Sequence, residues 1–92
     1  MSRAFLITYE LRSKIGHDYT PFFNEIKKAP KWWHYLSNVW IIISEEDVSS
    51  WERKLVPLTV VGDNLLIIEV RRSSGGWLPK EAWGWINTNI SF

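Results

Sequence analysis

The sequence predicts an α+β domain ordered β-α-β-β-α-β with one more short helix after it, and three observations carry that prediction. Arg3–Leu11 (RAFLITYEL) and Asn64–Val70 (NLLIIEV) are rich in β-branched and aromatic residues and lack Gly and Pro. Tyr19–Ala29 and the segment from Ser44 to Leu55 place apolar residues at helical spacing. Between them, Trp32–Leu36 and Val39–Ile43 flank Ser37-Asn38, a two-residue turn signal.

The first strand carries Phe5, Ile7 and Tyr9 on one face and Ala4, Leu6, Thr8 and Glu10 on the other. Being largely apolar on both, it reads as a central strand covered on two sides. In the first helix Tyr19, Phe22, Phe23 and Ile26 fall at i, i+3, i+4 and i+7. Thr20 and Pro21 suit the N-cap and N1 positions, Asp18 suits helix entry, and Pro30 stops the helix. The second helix, SEEDVSSWERKL from Ser44, has acids early, bases late and a stripe of Val48, Trp51 and Leu55 that ends near Pro57. Gly62-Asp63 turns the chain into the fourth strand, and Pro79–Asn87, with Leu78, Ala82, Trp85 and Ile86 on one face, closes it. This order is the ferredoxin-like arrangement: an antiparallel sheet with its helices on one face. The other face, with Leu6, Ile41 or Ile42 and alternate residues of LLIIEV, is apolar enough to require a cover, and a face-to-face homodimer is the expected one.

Ninety-two residues suit one domain, residues 1–92. A net charge of +1 argues against a protein that coats nucleic acid, although a local basic patch is compatible with it. The absence of cysteine excludes disulfides, thiolate chemistry and Cys-based zinc sites, and makes the cytoplasm the default compartment. The apolar run before Glu10 is too short for a membrane span or a signal-peptide core, so no membrane partner is expected.

With ITYEL, GHDY, WWHYLSNVWII and the late GWLPKEAWGWI in view, the chain resembles the small SinR-like proteins. Those are similar to the CRISPR-associated ferredoxin-like nucleases and the VapD-type endoribonucleases. The resemblance spans about residues 3–90, its most specific part being W-W-H-Y-L-x-x-x-W-I. It implies a dimer in which a strand-ending Tyr-Asp pair holds a divalent metal between subunits. The matching residues are Tyr9 and Glu10, and the longer glutamate departs from that pattern, because a Mg²⁺ site tolerates little displacement of its carboxylate.

Read from its surroundings, Glu10 is either that ligand or a solvated acid paired with Arg12 or Lys14. His17 and His34 are the residues suited to general acid/base work; His34 shares a strand face with Trp32, whereas Trp33 and Tyr35 point the opposite way. Arg71, Arg72, Ser73, Ser74, Gly75 and Gly76 follow the fourth strand and precede a helix. They form either a phosphate cradle or a surface turn. Trp51 belongs to the core, but Trp77, Trp83, one of Trp32 and Trp33, and Trp40 exceed what so small a core can hold. Surplus indoles seal interfaces or stack bases.

The leading expectation is therefore a non-catalytic homodimer that binds or sequesters a small nucleotide-derived ligand, without metal or other cofactor. Small phage proteins that sequester the signalling nucleotides of bacterial immunity offer the analogy. Trp32, Trp33, His34, Trp77 and Trp83 would stack, and Arg71 to Gly76, Tyr9, Lys14 and His17 would complete the site. The alternatives are a Mg-dependent ribonuclease or phosphodiesterase using Glu10, and a scaffold or nucleic-acid-contacting subunit.

Overall fold

The computed structural model describes residues 2–12 and 16–91. Its elements are β1 (Arg3–Glu10), α1 (Thr20–Ile26), β2 (Lys31–Leu36), β3 (Val39–Ser44), α2 (Val48–Leu55), a short 3₁₀ turn (Val56–Leu58), β4 (Asn64–Val70) and α3 (Lys80–Asn89). The four strands form one antiparallel sheet in the order β2-β3-β1-β4. Each helix of the βαββαβ unit thus connects two strands that are separated by a third, which is the split βαβ arrangement of the ferredoxin-like class.

Strand alternation sorts the sheet into two cores. Phe5, Ile7, Tyr9, Trp40 and Ile42 face α1 and α2, where Phe22, Ile26, Trp51 and Leu55 close over them. Ala4, Trp33, Ile41 and Ile43 point the other way and meet Ala82, Ile86 and Ile90 of the α3 segment. The expectation that all helices share one face is therefore corrected for α3. Its Ala82, Ile86 and Ile90 recur every four residues, a stripe that fits the apolar far face, so the chain itself provides cover expected from a face-to-face partner. That cover is partial. Leu66 and Ile68 of β4, on the same face, stay 53% and 48% exposed.

Three local details differ from the sequence reading. Ser44 is a β3 residue paired with Arg3, and Asp47 caps α2 by accepting from Ser50 N at 2.9 Å; Ser44 Oγ instead receives the Trp51 indole N–H at 3.1 Å. At α1 the side-chain contact comes from Asp18, which accepts from Thr20 N at 2.9 Å, and Thr20 is already helical. The helix ends at Ile26, four residues before Pro30, in tight turns from Lys28 N to Glu25 O and Ala29 N to Ile26 O.

The Ser37-Asn38 turn is present, but no described residue other than glycine has positive φ, so it is not one of the primed turns that match strand twist. A bulge takes up the mismatch: Trp33 pairs with Ile41 and Leu36 with Val39, leaving His34 and Tyr35 together opposite Trp40.

Candidate functional site

Beside that bulge several aromatic rings gather around Trp40. Continued from Trp32–Ile42 and Trp33–Ile41, the register sets His34 across from Trp40 on the α1 side of the sheet, the side of Trp32, and the imidazole lies flat on that indole, with ring centres 3.9 Å apart and planes 8° from parallel. The Trp32 ring leans on the same indole at 5.3 Å and 52°, and Phe23 from α1 stacks at 6.3 Å and 20°. Trp40 itself is 2% exposed and donates its indole N–H to the Tyr9 hydroxyl at 2.9 Å. Burial pushes the Tyr9 phenol above its usual pKa, against the Trp40 donor, which favours the ionised form; Tyr9 therefore stays neutral at physiological pH.

Around this stack Tyr9, Phe23, Lys27, Trp32, His34, Ser37 and Trp40 line an open depression of about 330 Å³. Trp32 is 41% exposed within it, and Lys27 Nζ stands 5.7 Å from the Trp32 ring centre. His34 Nδ1 lies 3.0 Å from the Val39 carbonyl oxygen. A carbonyl only accepts, so Nδ1 carries the hydrogen, and in the neutral ring Nε2 is left with its lone pair. The arrangement thus offers an exposed indole face, an acceptor nitrogen and a cation within one depression.

The other residues expected at the site lie elsewhere. Trp33 is 2% exposed on the far face, where its indole N–H donates to the Ala82 carbonyl at 3.2 Å and ties β2 to α3. Trp83 packs half-buried against that core, while Trp77 is 99% exposed. Trp40, read as a surplus indole, is core. Arg71 to Gly76 are exposed and follow Val70 on the β4 edge, whereas Trp32 and His34 stand on β2, the opposite edge strand, where the register Trp32–Ile42–Phe5–Glu69 sets Trp32 level with Glu69. Three strand spacings, on the order of 15 Å, separate that loop from the Trp32 side of the depression. None of its residues lines the depression. His17 packs edge-on against Tyr19 at 4.5 Å, and its Nε2 meets the Leu58 carbonyl at 3.1 Å, a structural tie between two loops. Lys14 lies outside the described residues.

Glu10 is exposed and pairs with Arg12 at 3.3 Å, at the rim of a second depression of about 410 Å³ shared with Thr8, Asn38, Asn64 and Leu66. Among the described residues no three His, Cys, Asp or Glu side chains gather at one place. No described helix is long and apolar enough to cross a membrane.

Two members of the aromatic site, Phe23 and Lys27, were not read as site residues in the sequence. Their signal is faint: Phe23 reads as part of the helix stripe and Lys27 as the residue that ends α1, and only the packing of α1 on the sheet brings them to the hairpin. No protein-family model, curated protein or solved structure matches the chain, so the expected family relationship rests on the sequence segments quoted above.

Proposed function

We propose that this chain is a binding protein, not an enzyme, for a small planar ligand of the nucleotide class, held at the depression between α1 and the β2-β3 hairpin. The observation that carries the reading is the His34 imidazole held flat on Trp40, with Nε2 available, beside the exposed Trp32 ring and Lys27. A π face with a hydrogen-bond acceptor suits a heterocyclic base bearing N–H donors, and the lysine suits an anionic substituent such as a phosphate. The volume is near the lower end for ligand sites, which favours one nucleoside-sized unit over a dinucleotide held whole. Of the residues expected from the sequence, Tyr9, Trp32 and His34 serve this reading. Arg71 to Gly76 do not.

Titration calorimetry and tryptophan fluorescence against a panel of mono-, cyclic and ADP-ribosyl nucleotides test it. Trp32→Ala is expected to weaken binding roughly five- to hundred-fold, since base stacking on an aromatic is worth about 1–3 kcal/mol. Lys27→Gln is expected to weaken binding of the phosphorylated ligand while sparing that of its nucleoside. Absence of heat and of any fluorescence change across the panel would sink the proposal, and Mg-dependent RNA or cyclic-dinucleotide cleavage lost in Glu10→Ala would replace it with the nuclease.

A further inference from the structure

We infer that the outer edge of β4 pairs with β4 of a second copy of this chain, antiparallel about a two-fold axis through Ile67. In the order β2-β3-β1-β4 that edge has no strand beside it among the described residues, so one row of its N–H and C=O groups lacks a ladder partner there. Most of the usual protections of an edge are missing: NLLIIEV contains no Lys or Pro, its pairing with β1 runs from Asn64 to Val70 without a bulge, and Glu69 is its single charged side chain. The opposite edge, β2, has both a bulge and Lys31.

Register selects the axis. For both sheets to keep α1 and α2 on the same side, paired residue numbers must sum to an even value, so the axis passes through a residue. Through Leu66, it would oppose Glu69 with Asp63 of the second copy, like against like. Through Ile68, it would set Arg71 against Leu65 and Glu69 against Ile67. Through Ile67, it opposes Arg71 with Asp63 of the second copy at both ends of the ladder, and pairs Leu66 with Ile68 twice. Leu66 and Ile68 are the half-exposed side chains that α3 leaves uncovered, so this axis gathers four of them into one cluster. Arg71 is exposed and makes no ion pair or side-chain hydrogen bond among the described residues. One contact opposes pairing: Glu69 falls opposite Leu65 on the helix side, where Glu52 lines a groove with Leu65 and Ile67.

This edge and the aromatic depression, which lies beside β2, are at opposite edges of the sheet, so pairing and ligand binding fail independently. Light scattering coupled to size exclusion, over a dilution series of the full chain, is expected to give twice the 10.9 kDa chain mass at the concentrated end. Ile68→Lys is expected to remain monomeric throughout, Arg71→Glu to weaken the dimer roughly ten-fold, and Glu69→Gln to tighten it about three-fold, each with unchanged circular dichroism. A parent chain that is monomeric at every concentration overturns the inference. So does a dimer that neither Ile68→Lys nor Arg71→Glu weakens. Should Ile68→Lys lose its fold, Arg71→Glu, at an exposed position, decides alone.

Discussion

The two faces of the sheet are drawn from the same strands and finished differently. Toward α1 and α2, Phe5, Ile7, Ile42, Phe22, Ile26 and Leu55 are fully buried, because two helices internal to the βαββαβ order close over them. Toward α3, one helix covers Ala4, Trp33, Ile41 and Ile43 and stops short of Leu66 and Ile68. The apolar residues are similar on both faces; the number of elements that the connectivity delivers to each is not. Cover, rather than hydrophobicity, separates a finished core from a surface available to a partner.

Substitutions can break this contrast. Trp51→Ala is expected to cost about 3–5 kcal/mol in urea unfolding, since it empties a fully enclosed site and removes the hydrogen bond to Ser44. Ile86→Ala, under the single helix of the far face, is expected to cost nearer the low end of the 2–5 kcal/mol range, because the less enclosed layer can settle into the gap. Equal costs would show the two faces to be equally closed.

A smaller effect tests what ties the helix side to β4. Asp63 accepts from Arg12 N at 2.8 Å, from Val60 N at 2.9 Å and from the Tyr19 hydroxyl at 2.7 Å, joining three segments. Desolvation pushes its carboxyl upward, yet these donors outweigh it and hold the pKa below the usual aspartate value. The stabilisation is therefore complete above about pH 4 and is lost as the pH falls through the depressed folded value. Asp63→Asn is expected to lower the melting temperature at neutral pH and to flatten its acid dependence, a difference that thermal scans from pH 7 to pH 2 would reveal. The smallest effect belongs to Trp77→Ala, within about 0.5 kcal/mol of the parent, since that ring is solvent-exposed. A larger loss would mean that the segment leading into α3 covers more of the far face than its geometry shows.

Much of this fold was legible in the sequence because periodicity is local. Alternation in RAFLITYEL separated Phe5, Ile7 and Tyr9 from Ala4, Leu6 and Thr8, and the spacing of Phe22 and Ile26 marked the buried stripe of α1. The candidate site was legible only in part. Tyr9, Trp32 and His34 stood out by residue type, whereas Lys27 looked like any surface lysine of a helix end, and nothing local distinguished the Arg71–Gly76 loop as remote from them.

By itself the sequence determined the order of elements, the hairpin and the division of Trp32 and Trp33 between opposite faces, since each depends on neighbours within a few positions. Only the tertiary structure decided that Trp33 enters the core under α3, that His34 lies flat on Trp40, and that the arginine loop ends up at the opposite edge of the sheet from Trp32. These are matters of register and of which face a connection crosses. Trp33 under α3 and the placement of the loop depend on contacts between residues tens of positions apart, and the His34 stack depends on hairpin register, none of which the local pattern records.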